Sequence, residues 1–300
     1  MAGTIPVIDF SDYGLDVAQE NVTENNLKQL ADKVYEAFST IGFCYIKNHE
    51  ALKVSKDFFE QPDSVKQKYT RPTDANYGWV AREREMLNPD RKVGDLKEAY
   101  NFTLTDDIKT MPVDIIPDFH QCLEKLFKQC ALLADRVFDV MSIGLNLPKR
   151  FLRNCHHYDV KTNQTTLRTL YYPEVKDVKP KQLRCGEHSD YGTVTFLFQT
   201  DDGLEVMNRQ GEYIQVPPIP DTMIINIGDL MQRWTADKLL ASKHKVGMPT
   251  GSQKNQGRQS IAFFLQPDDE TIVKCLDGSD KYEPISSIDY LNMRFGVPNN

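Results

Sequence analysis

The sequence predicts an α+β fold that is mainly β, in which a sandwich or jelly roll of short antiparallel strands is packed against a helical N-terminal half. Two observations carry this prediction. Apolar residues recur at helical spacing in two long segments of the first half. From Thr165 onward the apolar runs shorten to strand length and are separated by turn residues. With 300 residues, 40% of them hydrophobic, the chain can bury a sizeable core.

Two amphipathic helices are expected in the first half of the chain. Thr23 offers an N-cap for the first, and Gly42 provides its stop before a strand at 43–46. The second runs from Phe119 to Gly144 and is long enough to serve as the spine on which a sheet packs. Helices therefore precede most of the strands.

The strand-rich half is divided by glycine-containing turns. Asp202-Gly203 and Gln210-Gly211 are interpreted as hairpin turns. The glycine-rich interval from His244 to Arg258 is interpreted as a flexible hairpin loop. The predicted strands are 193–200, 204–207, 213–216, 223–227 and 260–265.

Composition and charge exclude several classes of function. The net charge of -7 and the pI near 5.5 argue against nucleic acid or an anionic membrane as a partner. No apolar run follows Met1, and no stretch approaches the roughly 20 apolar residues of a membrane span. We therefore expect a cytoplasmic protein whose six cysteines are reduced and mostly buried.

A candidate metal site is carried by His188-Ser189-Asp190 and the distant His244. Two imidazoles and one carboxylate can hold a metal on one face and leave the opposite positions open, as in non-haem Fe(II) oxygenases. Residues 188 and 190 would share one face of an extended strand while Ser189 turns away. His244 must then come from a neighbouring strand.

A second cluster, Arg258 and Ser260, repeats the same alternation on another strand. A guanidinium fork suits a carboxylate, and the hydroxyl can donate one further hydrogen bond. One cluster is thus expected to bind a metal and the other an acid. Glu187 should project opposite to His188, so Asp190 is the predicted carboxylate ligand. The remaining histidines are interpreted as structural: His49, His120, His156 and His157.

These residues and the segments around them resemble the iron(II) and 2-oxoglutarate-dependent dioxygenases. The branch concerned contains isopenicillin N synthase, aminocyclopropane-carboxylate oxidase and the plant flavonoid and gibberellin oxidases. The resemblance covers nearly the whole chain. Its further motifs are IPVIDF (5–10), GFCYIKNH (42–49), DLKEAY (95–100), LYYP (170–173), GLEV (203–206), VPP (216–218) and NIGDL (226–230).

The resemblance implies a double-stranded β-helix, that is a cupin-like jelly roll. It implies an N-terminal region of the non-haem dioxygenase type at 1–110, connecting spine helices at 111–160, the oxygenase core at 161–270 and a C-terminal segment at 271–300. After His49, relatives continue with glycine and a longer run, whereas this chain has Glu50 and passes almost directly into the next segment.

The resemblance also implies cofactors and site residues. Fe(II) would be held by His188, Asp190 and His244, with O2 and 2-oxoglutarate as cosubstrates and ascorbate as an accessory reductant. Arg258, Ser260 and Tyr172 would bind 2-oxoglutarate. The substrate, a small organic molecule, would be hydroxylated, desaturated or similarly oxidised by a monomer or weak homodimer. Its predicted contacts are Arg168, Phe264 and Gln266, with Tyr77, Trp79 and Lys97 over the barrel mouth.

Three alternatives stay open on the sequence. Isopenicillin N synthase and aminocyclopropane-carboxylate oxidase keep the triad and the arginine–serine pair without using 2-oxoglutarate, so the pair indicates an acid without naming it. A zinc hydrolase could use two histidines and a carboxylate, but it would not need Arg258 and Ser260. A non-catalytic protein that binds iron and a keto acid is the third.

Overall fold

Thirteen strands and six α-helices occur in the described residues of this computed structural model, which are 5–10, 13, 22–46, 52–72, 75–85, 93–174, 181–220, 222–249 and 256–296. The helices are α1 (Glu24–Thr40), α2 (Leu52–Phe59), α3 (Asp63–Lys66), α4 (Phe119–Gly144), α5 (Asp229–Trp234) and α6 (Ser287–Phe295). The strands are β1 (Phe43–Ile46), β2 (Gly78–Val80), β3 (Glu98–Phe102), β4 (Thr166–Tyr172), β5 (Cys185–His188), β6 (Val194–Gln199), β7 (Leu204–Met207), β8 (Tyr213–Gln215), β9 (Met223–Ile227), β10 (His244–Val246), β11 (Arg258–Leu265), β12 (Ile272–Val273) and β13 (Ile285–Ser286).

The strands form a large and a small antiparallel sheet, and β12 pairs with β13 separately. The large sheet has the order β1-β9-β6-β11-β4-β3-β2, and the small sheet has the order β5-β10-β7-β8. Four strands of the large sheet, β9-β6-β11-β4, face the four of the small sheet and complete an eight-stranded jelly roll. The predicted mainly-β jelly-roll fold is confirmed.

The two predicted helices are present. The Thr23 side chain accepts a hydrogen bond from the Asn26 backbone N–H at 3.2 Å and caps α1. Gly42 follows α1 with φ +75°, and a Cβ there would lie 2.2 Å from the Leu240 carbonyl oxygen, so only glycine fits. Helix α4 has the predicted bounds and packs against α1.

The strands at 43–46, 204–207 and 223–227 match the prediction, and β6, β8 and β11 differ from it by one or two residues at their ends. The sequence reasoning missed β2 and β3, which carry the N-terminal half into the large sheet. The helical first half is therefore joined to the jelly roll by hydrogen-bonded strands as well as by packing.

Two of the three predicted hairpins were wrong. Asp202-Gly203 joins β6 of the large sheet to β7 of the small sheet, and the 244–258 interval joins β10 to β11, again between sheets. At both places the chain passes from one sheet to the other, and these connections close the barrel. Each sheet then covers the apolar strand faces of the other. Gln210-Gly211 does connect a hairpin, because β7 pairs directly with β8. Residues 250–255, and the departure after His49, lie outside the described residues.

The large sheet has two different faces, set by alternation along its strands. On β11, Ile261, Phe263 and Leu265 join the core formed with α1 and α4. Ala262 belongs to the second core, between the two sheets, and Phe264 packs against it. A cavity of about 340 Å³ opens on this second face.

Candidate metal centre and cosubstrate pocket

The structure brings His188, Asp190 and His244 together at the mouth of the jelly roll. His188 ends β5 and is the direct register partner of His244 on β10. The Asp190 Oδ1 atom lies 3.7 Å from His188 Nε2 and 3.6 Å from His244 Nε2. One ligand atom from each residue lies within 4.8 Å of the others, a spacing suited to one ion.

Both imidazoles are oriented by backbone carbonyls. His188 Nδ1 lies 2.8 Å from the Gly186 carbonyl oxygen, and His244 Nδ1 lies 3.2 Å from that of Ser242. A proton on Nδ1 leaves Nε2 of each ring with an unused lone pair. These two lone pairs face Asp190 Oδ1, so the set offers two nitrogens and one oxygen.

Asp190 is positioned by its neighbours, because the expected strand does not reach it. Strand β5 ends at His188, so the prediction that residues 188 and 190 share a strand face was wrong in detail. The Asp190 carbonyl oxygen instead accepts a hydrogen bond from the Asp229 N–H at 2.7 Å. The Asp190 side-chain Oδ2 accepts one from Asn226 Nδ2, also at 2.7 Å. Gly228 allows this approach, since a Cβ there would lie 2.3 Å from the Gly192 carbonyl oxygen.

The electrostatics of the cluster favour a neutral His188 imidazole beside an ionised Asp190 carboxylate. Burial, reinforced by the neighbouring His244, lowers the pKa of His188 to about 3. Burial alone would raise the pKa of Asp190, but the two histidines and the Asn226 amide outweigh it and hold that pKa below its usual range. Metal ligation requires these same protonation states.

Arg258 is only 1% exposed, and its side chain points into the space between the sheets. Its Nη2 donates to Gln199 Oε1 at 2.8 Å, its Nη1 to Ser260 Oγ at 3.3 Å, and its Nε to the carbonyl oxygens of Asp201 and Asp202. Among the described residues, no carboxylate forms an ion pair with it. A buried cation held only by neutral groups is costly unless an anion joins it.

Ser260 and Tyr172 lie beside this guanidinium, as predicted for an acid-binding pocket. The Arg258 guanidinium carbon sits 5.0 Å from the centre of the Tyr172 ring, in cation–π range. Burial raises the pKa of Tyr172, so its phenol keeps a proton to donate. All three residues line the cavity.

The predicted substrate contacts divide into two groups. Arg168, Phe264 and Gln266 line the cavity, as does Lys97. Trp79 does not: it is 4% exposed in the helix-packed core, where its Nε1 donates to Glu98 at 3.0 Å. A substrate contact for Trp79 is therefore a wrong prediction, because strand β2 turns its indole to the helix side. Tyr77 is also absent from the cavity walls in the described residues.

The other histidines that the structure describes lie away from the metal cluster. His156 is buried, with Nδ1 at 2.8 Å from the Leu152 carbonyl oxygen and Nε2 at 3.0 Å from Thr193 Oγ1. His157 pairs with Asp268, and the His120 ring contacts Phe102. Their structural interpretation is consistent with these contacts; His49 lies outside the described residues.

Two residues next to the triad in sequence take the roles expected for them. Glu187 points away from His188 and accepts hydrogen bonds from Tyr213 and Lys243. All six cysteines are free, and Cys185 lines the cavity with its Sγ 3.4 Å from Lys97 Nζ. Asp190 is therefore the available carboxylate in this cluster.

Sequence reasoning missed several supporting residues. Asn226 stands in the quoted NIGDL motif and is the one polar residue of the otherwise apolar strand β9, which was an available signal. Gln199 closes the mostly apolar strand β6 and accepts a hydrogen bond from Arg258. Glu85 and Arg71 line the cavity but come from charged segments with no periodic signal.

The donor sets fit the groups that they would receive. Two imidazole nitrogens and one carboxylate oxygen on one side of a cavity match the facial arrangement of non-haem iron sites. The buried Arg258, with Ser260 and Tyr172 beside it, matches a carboxylate at the far end of a small acid.

Two family models match the chain. The 2OG-Fe(II) oxygenase superfamily model matches residues 163–267, and the N-terminal model of non-haem dioxygenases in morphine synthesis matches residues 5–118. Together they include both the metal cluster and the strands that extend the large sheet at its edges.

The chain is also similar to curated proteins over most of their length. It is 29% identical to the 2-oxoglutarate-dependent dioxygenase htyE of Aspergillus rugulosus, across 90% of this chain and 92% of that protein. It is 31% identical to the 2-oxoglutarate-Fe(II) type oxidoreductase ppzD of Metarhizium rileyi, across 86% of this chain and 82% of that protein.

Among solved structures, a full-length Neurospora crassa protein crystallised in complex with alpha-KG superimposes with a TM-score of 0.84 at 29% identity. The match covers 98% of this chain and 96% of that one. None of the helices in the described part of the chain combines the length and apolarity that a bilayer span requires.

Proposed function

Because the chain belongs to the 2-oxoglutarate–Fe(II) oxygenase superfamily and is an Fe(II)- and 2-oxoglutarate-dependent dioxygenase, we propose a role for each residue of its site. His188, Asp190 and His244 hold the iron. Arg258, with Ser260 and Tyr172, binds the carboxylate of 2-oxoglutarate that does not chelate the metal. Arg168, Phe264 and Gln266 contact a small organic substrate.

The single observation that supports this assignment best is the isolation of Arg258. A guanidinium 1% exposed, with neutral hydrogen-bond acceptors and no carboxylate partner among the described residues, is a site built for an incoming anion. The Asp190 carboxylate, a 2-oxoglutarate dianion, Fe(II) and Arg258 together carry no net charge. A neutral assembly can occupy the interior of a barrel at lower desolvation cost than any charged part of it.

When bound, the iron supplies O2 activation coupled to oxidative decarboxylation of 2-oxoglutarate. The chain's own residues bind and orient the metal and its cosubstrate, and they exclude water from the cavity. Gly186 and Ser242 carbonyls fix the ring tautomers, Asn226 fixes Asp190, and the apolar lining contributed by Leu170, Leu197, Ala262 and others keeps solvent out. The oxidising power belongs to the metal, and the protein sets where it acts.

The proposal also covers the binding partners, the location and the oligomeric state of the protein. The acidic net charge of -7 supports a protein that binds neither nucleic acid nor an anionic membrane, and we assign it to the cytoplasm. We assign it a monomeric or weakly dimeric state. Sedimentation of the iron-loaded protein over a range of concentrations tests the proposed oligomeric state.

An anaerobic titration tests the site directly. Fe(II) and 2-oxoglutarate are added to the protein and visible absorption is recorded, where a metal-to-ligand charge-transfer band reports chelation. The band should form with the native protein and with Arg150→Gln, a surface control, and should require far more 2-oxoglutarate with Arg258→Gln. Equal requirements in all three would overturn the role given to Arg258.

Release of CO2 from labelled 2-oxoglutarate during turnover separates this function from its rivals. Stoichiometric release coupled to oxidised product supports the proposed dioxygenase. Product formed without release would indicate a 2-oxoglutarate-independent oxidase. Band formation without O2 uptake across a broad substrate panel would indicate a non-catalytic iron and keto-acid-binding protein.

A further inference from the structure

A second charged cluster lies in the cavity, apart from Arg258. Arg71, Lys97 and Arg168, here called the basic cluster, all line the cavity and converge on one carboxylate, Glu85. Glu85 Oε2 accepts from Arg168 Nη2 at 2.5 Å and lies 3.5 Å from Lys97 Nζ, while its Oε1 lies 3.7 Å from Arg71 Nη1. Asp95 Oδ2 lies 3.4 Å from Lys97 Nζ, outside the cavity lining.

These five groups carry an excess of one positive charge. Burial opposes ionisation of Glu85, but Arg168, Lys97 and Arg71 lower its pKa to about 2, so it is an anion at neutral pH. Burial likewise opposes the charge on Lys97, but the Cys185 sulfur, Glu85 and Asp95 outweigh it and raise its pKa. Three cations therefore face two carboxylates.

The basic cluster occupies a different part of the cavity from the cosubstrate pocket. In the register of the large sheet, Arg258 pairs with Tyr172, whereas Ala262 pairs with Arg168 four positions further along. Four strand residues span about 13 Å, so the two arginine sites are separated by roughly that distance. Asn101, the next partner across the sheet from Arg168, lines the same end.

Polar atoms at this end have hydrogen-bonding capacity left over. The buried Nε of Arg168, a donor, has no hydrogen-bond partner among the described residues. Arg71 keeps 32% of its side chain exposed and touches Glu85 only at 3.7 Å. Buried polar groups left unpaired are rare unless a ligand completes them.

We propose that the basic cluster is a subsite for one anionic group of the substrate, a carboxylate, which binds Arg168 and Arg71 while Glu85 stays in place. This proposal rests on the proposed function, because it assumes that Arg258 is already occupied by 2-oxoglutarate. A single negative charge balances the excess on the cluster, as the cosubstrate balances the metal end. Glu85 acts as a positioning residue that holds the three cations toward the cavity.

The test compares matched acids and amides as probes. Anaerobic protein with Fe(II) and saturating 2-oxoglutarate is titrated with phenylacetate and octanoate, and separately with phenylacetamide and octanamide. Perturbation of the charge-transfer band and calorimetric heat both report binding. Each acid should bind about tenfold or more tightly than its amide, the scale of a charge-assisted hydrogen bond.

Variants assign the preference to the cluster. Arg168→Gln should remove most of the acid-over-amide ratio, Arg168→Lys should keep part of it, and the surface variant Arg150→Gln should leave it unchanged. Circular dichroism confirms folding. Calorimetry with the metal-free protein, the same acids and saturating 2-oxoglutarate gives a readout that does not depend on iron.

The outcomes separate this proposal from the one on which it rests. Failure of the native protein to form the band with 2-oxoglutarate would overturn the proposed cosubstrate site. A normal band with acids binding no better than amides would overturn the anionic subsite alone. An acid preference that persists undiminished in Arg168→Gln would also overturn it.

Discussion

Buried polar groups on the helix-covered side of the large sheet and in the cavity between the two sheets differ in how their hydrogen bonds are completed. On the helix-covered side, His156 stacks on Phe138 and uses both ring nitrogens, on the Leu152 carbonyl and on the Thr193 hydroxyl. On the cavity side, His188 and His244 each use Nδ1 alone and leave Nε2 directed at Asp190. His156 and His244 are both buried, so burial does not distinguish the two environments.

What distinguishes them is the completeness of hydrogen bonding. A fully paired buried histidine stabilises one packing arrangement and has nothing left to offer a ligand. A buried lone pair, or a buried guanidinium such as Arg258 without an anion, costs free energy unless something else completes it. The polar groups in the cavity are therefore available to bind ligands, because the chain itself does not complete their hydrogen bonds and charges.

The largest effect should follow from removing a metal ligand. His188→Ala deletes one of two ring nitrogens, and losing the several kcal/mol that a metal contributes corresponds to a rate loss on the order of 10⁴-fold. The measurement is 2-oxoglutarate decarboxylation together with bound iron. His157→Ala, a surface histidine variant, should retain both; equal losses in the two variants would contradict the assignment.

Replacing Arg258 should weaken the cosubstrate and spare the metal. In Arg258→Ala a bound carboxylate is left buried without its cation, which costs roughly 3 to 5 kcal/mol, or about two to four powers of ten in 2-oxoglutarate affinity. The apparent 2-oxoglutarate constant and the iron constant are measured side by side. Parallel weakening of both would mean that Arg258 supports the fold of the whole cavity.

The helix-covered face should respond to pH through stability. Burial lowers the pKa of His156 to about 4, below the value near 6.5 of an unfolded histidine. The unfolded chain therefore binds the proton first, so this contribution is complete above pH 6.5 and is lost as pH falls toward 4. The free energy of unfolding should drop by about 3 kcal/mol across that range.

Chemical denaturation at a series of pH values checks this prediction. His156→Gln, which has no titrating ring, should lose that part of the pH dependence even though it is less stable at neutral pH. An unchanged slope between pH 6.5 and 4 in the variant would assign the dependence to other groups.

The smallest effect should come from supporting residues on each face. Asn226→Ala removes the donor to Asp190, and such outer contacts typically change metal affinity by about 10- to 100-fold. Thr193→Val removes the partner of His156 and should cost about 1 to 3 kcal/mol of stability without changing iron affinity. Iron titration and chemical denaturation are carried out on both variants. Equal losses of iron affinity in Asn226→Ala and Thr193→Val would contradict this prediction.

Most of the fold could be predicted because it depends on local periodicity. Helix α4 begins at Phe119 and ends at Gly144, as its apolar spacing predicted, and the ends of β7 and β9 were also correct. The short strands β2 and β3 were missed, and two turns were assigned to hairpins that do not exist. Which strands pair depends on contacts between distant residues, and no local pattern contains them.

The candidate site, like the fold, could be predicted in part from the sequence. Alternation along β11 places Arg258 and Ser260 on one face, and the structure puts them within hydrogen-bond distance. Trp79 was assigned to the cavity because it lies in the covering half, yet its strand turns the indole into the core. Arg168 and Lys97 of the basic cluster were named from the sequence, but Arg71 and the Glu85 carboxylate between them gave no signal, since charged loop residues are ordinarily solvated.

The sequence by itself determined the chemistry of this protein: two imidazoles, one carboxylate and one arginine–serine pair, with the periodicities of the segments that carry them. Only the tertiary structure decided which of these groups meet, because His188 and His244 become partners through pairing of β5 with β10. It also decided which polar atoms remain unpaired in the cavity. Hydrogen bonding is satisfied or left open only when distant strands close around the site.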